Sequence, residues 1–230
     1  MSTFTRPFIA VNIAMTADGK IAPVNRRFRP FGSKRDQDHM MELRAGMDAV
    51  MTGATTVANG KVTLGPGGKK YQRQRLEKGL AEFNLRIVVS RTASMSPRAH
   101  IFTKRFSPVI VLTTEAAPHP KLKALAAVAD ELHVTPGEQI DFPAVLRWFR
   151  EKWNVKKLLC EGGGELNAPL FRLGLVDELH LTICPLIFGG RKAPTLADGE
   201  GIEHLVEAKR FRLKRQQRFG DELFCVFARE

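Results

Sequence analysis

The chain has 230 residues, of which 43% are hydrophobic and 26% charged, a composition that is ordinary for a folded globular protein and argues against extensive disorder. No apolar run approaches the roughly 20 residues that a membrane span requires, so no membrane partner is predicted. Thirty-six Lys and Arg against 24 Asp and Glu give a formal net charge of +12, which suits either nucleic acid or a phosphorylated small molecule.

A single domain is predicted over residues 1–230, because the chain contains no Pro/Ser-rich linker, fixed-period repeat or low-complexity tract. Residues 1–6 are expected to be flexible, and the lack of a signal-peptide core near the start favours a cytoplasmic location. The cysteines stand singly within apolar runs and lack metal-ligand spacing. They predict buried thiols and no metal site: Cys160, Cys184 and Cys225.

The first predicted strand, residues 8–15, ends at a turn formed by Asp18 and Gly19. Ligand sites of α/β sheets collect where strands end, so Lys20, directly after this turn, is a candidate site residue. The alternative is an ordinary turn without a ligand. Farther along, Ser33 has an acid three residues later and precedes apolar residues at helical spacing, which predicts a helix N-cap.

Residues 48–57 predict a second strand that ends in a turn with a glycine and two hydroxyls. Gly53 permits close approach of the backbone to a ligand, and Thr55 or Thr56 would either bind a phosphate or cap a helix. The following segment, residues 58–79, is rich in Gly, Lys and Arg and is interpreted as a mobile surface loop.

Residues 85–91 predict a third strand, which ends in Ser90 and Arg91. A hydroxyl and a guanidinium at a strand end can hold the 2′-phosphate that distinguishes NADP from NAD. Two further strands are predicted over residues 109–114 and 131–134.

Toward the C-terminus, residues 176–184 alternate as a strand does, and residues 210–227 predict a hairpin around Gly220 and Asp221. Alternating strands and helices, followed by antiparallel strands, predict an α/β fold. Its sheet is expected to be mostly parallel, with helices on both faces and an antiparallel C-terminal hairpin.

The stretch from Lys157 to Asn167 joins an apolar run to a predicted helix through Glu161 and three consecutive glycines. Glycines bring the backbone close to a ligand, and the N–H groups of a first helical turn, together with the helix dipole, favour a phosphate. The pattern is neither GxGxxG nor a P-loop, and a purely steric turn is the alternative. Glu161, at the predicted strand end beside this turn, is a candidate for helping to move a proton.

Five blocks, in this order, resemble the pyrimidine reductases of riboflavin biosynthesis, whose reductase domain has a dihydrofolate reductase-like fold. The resemblance covers the chain from Phe8 to Phe227. The blocks are Asp48-Ala-Val-x-x-Gly-Ala-x-Thr-Val57, the strand ending at Ser90-Arg91, Glu161-Gly-Gly-Gly-x-Leu166, Val176-Asp-Glu-Leu179 and Ile187-Phe-Gly-Gly-x-x-Ala-Pro-Thr195.

The resemblance implies a homodimer that uses NADPH to reduce a ribosylaminopyrimidine 5′-phosphate, with hydride delivered to C1′ of the opened ribose. Glu161 and Lys20 are the residues predicted to act in catalysis, and Ser33, Arg44 and Glu161 are predicted to bind substrate. The predicted cofactor-binding residues are Ala14, Gly53, Thr55, Thr56, Val57, Ser90, Arg91, Gly162, Gly163, Gly164, Glu165, Leu166 and Asn167.

The chain departs from the family on the substrate side. After the Thr-Val pair the family commonly has Asp-Asp-Pro and then an arginine for the substrate phosphate, whereas residues 59–67 here read Asn-Gly-Lys-Val-Thr-Leu-Gly-Pro-Gly. Lys69, Lys70 or the cluster Arg26–Arg29 are candidates to replace that arginine. The deaminase His/Cys zinc motif is also missing, so the bifunctional form is not predicted.

Two other functions remain open at this point. The altered substrate-side motifs fit a family member that reduces another heterocycle or a pterin, and the net charge fits a basic nucleic-acid-binding module. The leading prediction is an NADPH-dependent reductase with a phosphorylated small-molecule substrate and no nucleic-acid partner.

Overall fold

The computed structural model describes residues 6–26 and 30–230. The chain divides into two compact units, of which unit 1 comprises Met1–Phe8 and Met41–Leu159, and unit 2 comprises Ile9–Met40 and Cys160–Glu230. The prediction of a single domain therefore stays a prediction. The expected flexibility of residues 1–6 concerns positions that, apart from Arg6, lie outside the described residues.

The helices and strands alternate along most of the chain, as predicted. Within the described ranges the strands are β1 (Phe8–Thr16), β2 (Ala49–Gly53), β3 (Leu85–Val89), β4 (Val109–Thr114), β5 (Glu131–Thr135), β6 (Lys157–Cys160), β7 (Glu178–Cys184), β8 (Phe211–Phe219) and β9 (Glu222–Arg229). The helices are α1 (Lys34–Arg44), α2 (Ala54–Asn59), α3 (Lys69–Glu77), α4 (His100–Thr103), α5 (His119–Ala126), α6 (Phe142–Lys152) and α7 (Gly164–Arg172), with a 3-10 turn at Leu205–Glu207. No helix in the described part of the chain is long and apolar enough to cross a membrane.

Unit 1 contains the strand order β5-β4-β3-β2-β6. Strands β2, β3, β4 and β5 pair in parallel, and every residue of β4 is buried. A strand that is covered on both faces reads as a continuous apolar run, which is why the sequence identifies it. The start of α6 is capped by Asp141, whose carboxylate accepts a hydrogen bond from the Ala144 N–H at 3.0 Å.

Unit 2 contains the strand order β1-β7-β9-β8. Strand β1 pairs in parallel with β7, while β9 is antiparallel to both β7 and β8. The predicted C-terminal hairpin is confirmed, and Gly220 takes the positive φ of 59° that its turn requires. The fold class is therefore the mostly parallel α/β arrangement with antiparallel C-terminal strands that the sequence predicts.

Two local predictions in unit 1 differ from the structure. The second strand ends at the predicted glycine, Gly53, but the residues after it form helix α2 instead of a turn. The segment 58–79, interpreted as a mobile surface loop, contains α3 and buries Leu64, of which 1% is exposed. It also buries the guanidinium of Arg75, which donates to the backbone oxygens of residues 44, 47 and 81. From the sequence alone, a buried arginine such as Arg75 cannot be distinguished from one at the surface.

Candidate functional site

The glycine turn of unit 2 has the backbone path that the sequence predicts, a strand followed by a turn and a helix. Helix α7 begins at Gly164, and the extended Gly163 (φ −82°, ψ −179°) is its N-cap. The N–H groups of Leu166 and Asn167 both donate to the Gly163 carbonyl at 3.0 Å. The turn therefore presents the start of a nine-residue helix, whose dipole favours an anion.

The three glycines of this turn differ in what an added Cβ would contact. A Cβ on Gly162 would lie 2.6 Å from Cδ2 of Leu166, and one on Gly164 would lie 2.4 Å from Oδ2 of Asp198. A Cβ on Gly163 would meet Cδ1 of Ile21 at 3.8 Å as its nearest neighbour among the described residues. The steric alternative thus explains Gly162 and Gly164, whereas Gly163 leaves open space at the helix start.

Asn167 holds this turn together from within the fold. Its side chain is fully buried, and its Nδ2 donates to the carbonyl oxygens of Gly162 and Leu196, each at 3.1 Å. Its Oδ1 accepts from the Cys160 thiol at 3.4 Å. The side chain therefore links the end of β6, the glycine turn and the segment around residue 196.

Lys20 lies on the same side of unit 2 as the glycine turn. It forms an isolated antiparallel bridge with Thr195, whose carbonyl oxygen would be 2.5 Å from a Cβ on Gly164. The Lys20 N–H donates to Oγ1 of Thr16 at 2.9 Å, which closes the predicted turn after β1. One loop, residues 194–198, thus contacts both the turn after β1 and the start of α7.

Asp18 is a residue of this region that the sequence reasoning treated only as part of a turn. Its carboxylate accepts from Oγ1 of Thr16 at 2.6 Å and from the N–H groups of Phe188 and Gly189 at 3.1 and 2.7 Å. The bond from Thr16 is the main cause that holds the pKa of Asp18 below its usual value, and the two backbone bonds act in the same direction. The family block that begins at Ile187 was the available signal for this contact.

The start of α7 also carries negative charge of its own. Oε1 of Glu165 pairs with Nη1 of Arg26 at 2.7 Å, and this hydrogen bond raises the pKa of Arg26. Asp198 lies beside Gly164, where its Oδ1 accepts from the N–H and hydroxyl of Thr195 at 2.9 and 2.7 Å. Arg26, a candidate for the substrate phosphate, is thus paired with Glu165, and positions 27–29 of that cluster lie outside the described residues.

The other predicted site residues of unit 2 have clear positions. Ala14 lies in β1 opposite Thr182 of β7. Glu161 is half-buried directly after β6, and it contributes, after burial itself, to raising the pKa of the Cys160 thiol to about 12. Ser33 is the predicted N-cap of α1, since the Asp36 N–H donates to its Oγ at 3.3 Å.

In unit 1, Arg44 is buried rather than displayed at a surface. Its side chain is 7% exposed, and Nη1 donates to the Gly65 carbonyl at 2.7 Å. The carbonyl of Arg44 itself accepts from Nη1 of Arg75 at 2.8 Å. The guanidinium of Arg44 therefore links the end of α1 to residues 59–67, the segment that lacks the family's phosphate-binding arginine.

The ends of β2 and β3 are adjacent, because Gly53 pairs in register with Val89. This brings the Gly53 turn next to Ser90 and Arg91. Gly53 is the N-cap of α2, and no side chain of the described residues caps this helix, so the capping alternative for Thr55 and Thr56 is wrong. Ser90 is 4% exposed and its Oγ accepts from the Ser94 N–H at 2.9 Å, whereas Arg91 is exposed.

Unit 1 contains a shallow pocket of about 270 Å³, part of whose lining comes from the residues just after Ser90 and Arg91 in the chain. It is lined by residues 93–97 together with Lys121 and Ala124. Since residues 93–97 and Lys121 are separated in sequence and have no common motif, sequence reasoning did not find this pocket.

A family model described as the RibD C-terminal domain matches residues 7–225, nearly the whole chain. The chain belongs to this family, that of the riboflavin-biosynthesis pyrimidine reductases. It is 33% identical over 222 residues to 2,5-diamino-6-ribosylamino-4(3H)-pyrimidinone 5′-phosphate reductase of Methanothermobacter thermautotrophicus, covering 96% of this chain and 98% of that protein. Membership of a reductase family implies a nicotinamide cofactor.

Solved structures of the RibD family share the fold. A pyrimidine reductase-like protein from Corynebacterium diphtheriae superposes with a TM-score of 0.82 at 21% identity, covering 100% of this chain and 94% of that one. RibD of Acinetobacter baumannii gives a TM-score of 0.76 at 17% identity, and this chain spans 60% of its length. At these identities the likeness concerns the fold.

Proposed function

We propose that this RibD-family chain is an NADPH-dependent reductase of a ribosylaminopyrimidine 5′-phosphate, with hydride delivered to C1′ of the opened ribose. One observation carries the proposal: the 33% identity to the archaeal reductase extends over 98% of that protein's length. The N-terminus of α7 supports the proposal. A reductase of this kind needs a binding site for the cofactor's pyrophosphate, and the space beside Gly163 at this N-terminus is open.

Unit 2 offers features that fit the pyrophosphate. The start of α7 supplies backbone N–H groups and the positive end of a nine-residue helix, and Gly163 keeps the approach clear of a side chain. The carboxylates of Glu165 and Asp198 are each engaged by a donor, Arg26 and Thr195 respectively, which reduces their repulsion of an anion. Gly163, Gly164 and Glu165 would therefore hold the cofactor through their backbone.

Unit 1 offers features that fit the adenosine phosphate. Arg91 is exposed at the end of β3, and the pocket that follows it presents Ser94 and Lys121. A guanidinium, an ammonium and hydroxyls favour a 2′-phosphate, which NADPH has and NADH lacks. This chemistry supports NADPH as the preferred cofactor.

The bound cofactor supplies the hydride, so the protein's own residues bind the substrate and manage the proton. Glu161, beside the glycine turn, is suited to accept hydrogen bonds from pyrimidine N–H groups. Lys20 is suited to stabilise negative charge or donate a proton. Both roles are part of the proposal.

The proposal extends to a homodimer in the cytoplasm. Unit 2 exposes apolar side chains that a single copy leaves in water: Leu205 is 87% exposed, Val206 91% and Leu213 52%. Exposed apolar groups close together in a chain favour burial against a partner, and a second copy is the partner that the family resemblance implies.

The direct test is NADPH oxidation driven by 2,5-diamino-6-ribosylamino-4(3H)-pyrimidinone 5′-phosphate. The expected result is turnover with this compound or its deaminated uracil counterpart, and none with dihydrofolate or simple pterins. We expect Arg91→Ala to reduce the preference for NADPH over NADH about tenfold, as the loss of about 1.4 kcal/mol of charge-assisted binding would. Exclusive activity with a pterin would refute the substrate assignment.

A further inference from the structure

A buried carboxylate lies directly beneath Ser33 at the start of α1. Glu222, the first residue of β9, is 7% exposed, while Ser33 is exposed. The Ser33 N–H donates to Oε1 of Glu222 at 2.7 Å, and the Ser33 hydroxyl donates to Oε2 at 2.6 Å. One serine thus engages both oxygens of a carboxylate 189 positions away in the sequence.

These bonds determine which hydrogen bonds Ser33 can still make. A carboxylate only accepts, so the one hydroxyl proton of Ser33 is committed to Glu222. One lone pair of Oγ faces the Asp36 N–H at 3.3 Å. Toward solvent, Ser33 therefore presents an acceptor and no donor.

Several donors surround the Glu222 carboxylate, and a second carboxyl group, that of Asp36, lies nearby. Oε1 of Glu222 also accepts from the Cys184 thiol at 3.5 Å, so three donors converge on this carboxylate. Burial raises the pKa of Asp36, a hydrogen bond with Thr182 opposes this, and the nearby Glu222 raises the pKa further. With both of its oxygens accepting hydrogen bonds, Glu222 holds the Ser33 hydroxyl in one orientation.

We infer that Glu222 is a positioning residue, which fixes Ser33 as a hydrogen-bond acceptor for an amino or hydroxyl group of the substrate. The inference rests on the proposed function and on the substrate-binding role of Ser33 that the family resemblance implies. Amino groups of the pyrimidine and hydroxyls of the ribose are donors that such an acceptor recognises, whereas a phosphate dianion is not. Ser33 therefore discriminates the pyrimidine or ribose part of the substrate, and other residues bind the phosphate.

The test is steady-state kinetics of Glu222→Gln and Ser33→Ala, with Asp221→Asn as the matched control. Asp221 precedes Glu222 in the chain, and its side chain is 81% exposed. An amide at position 222 keeps the shape but brings a donor group against Ser33. We expect each test variant to raise KM for the pyrimidine about tenfold, the effect of losing one hydrogen bond of about 1.4 kcal/mol. We expect kcat and the Kd for NADPH to stay within about twofold, and the control to behave as wild type.

A double variant separates positioning from an independent effect. If Glu222 acts through Ser33, the combined Glu222→Gln and Ser33→Ala variant has a KM no higher than either single variant. Additive increases, or an unchanged KM in a folded Ser33→Ala protein, would refute the inference. Should Glu222→Gln not fold, Ser33→Ala still tests the substrate contact, and an unchanged KM in that variant refutes the inference. Ser33→Ala loses a helix cap worth about 1 kcal/mol and a hydrogen bond to a charged group worth about 1.5–3 kcal/mol, less than the roughly 5–15 kcal/mol stability of a typical domain.

Two further results distinguish the inference from the function on which it rests. A wild-type protein that does not turn over the pyrimidine refutes the proposed function and the substrate role of Ser33 with it. Normal wild-type turnover with variants that lower NADPH affinity instead of raising KM refutes the inference alone. A change in preference between the diamino substrate and its uracil counterpart would assign the donor to the 2-amino group, in support of the inference.

Discussion

Gly164→Ala tests the steric account of the glycine turn. The new Cβ would lie 2.4 Å from Oδ2 of Asp198 and 2.5 Å from the Thr195 carbonyl oxygen. Asp198 cannot simply turn away, because its Oδ1 accepts from the N–H and hydroxyl of Thr195 at 2.9 and 2.7 Å. Forcing a methyl group into such a place costs about 1–3 kcal/mol, and the better helix propensity of alanine returns at most about 1 kcal/mol. A net loss of about 1–2 kcal/mol would lower the Tm of a chain of this size by about 2–8 °C.

The matched control is Gly163→Ala, one position earlier. Its Cβ would meet Cδ1 of Ile21 at 3.8 Å, an ordinary contact, and its backbone is extended. We expect the Tm to stay within about 1 °C, since surface changes without strain are close to neutral. The methyl group would fill the approach to the helix start, so NADPH binding should weaken about tenfold, a loss of about 1.4 kcal/mol. Thermal melts and a fluorescence titration with NADPH measure both effects.

Two results would refute this reasoning. A Gly164→Ala protein that melts with the wild type would show that the 194–198 loop moves freely and that the contact with Asp198 is not a constraint. A stable Gly163→Ala protein with unchanged NADPH affinity would show that the pyrophosphate does not bind at the start of α7.

Two further predictions concern buried charged groups. Because burial raises the pKa of Asp36, the folded protein binds this proton more tightly. The linked stability is therefore present below the ordinary aspartate pKa of 3.8 and is lost as the pH rises through the folded pKa. Asp36→Asn should therefore exceed the wild type in urea stability at pH 7 and converge with it near pH ~3; a gap independent of pH would contradict this. Arg75→Met leaves three carbonyl oxygens without their donor and should cost about 2–4 kcal/mol, against less than about 0.5 kcal/mol for exposed Arg73→Met on the same helix. Equal urea midpoints for the two arginine variants would refute the structural role of Arg75.

Much of the fold could be predicted because its signals are local. The apolar run of β4 and the Asp-Phe-Pro start of α6 each indicate an element without reference to the rest of the chain. The strand, glycines and helix around Gly163 are equally local, and five such blocks in order were enough to identify the family. The errors arose at residues 54–77, where short helices are stabilised by tertiary contacts such as those of Arg75.

The sequence by itself determined the succession of strands and helices, the family and the positions of the glycine turn and of Ser33. Only the tertiary structure decided what these residues do. It separates Gly163, which has open space, from Gly162 and Gly164, which are confined by Leu166 and Asp198. It also places Glu222 under Ser33, across 189 positions of sequence. Periodicity and turn chemistry report a residue's neighbours along the chain, whereas close approach and hydrogen-bond polarity depend on residues that only folding brings together.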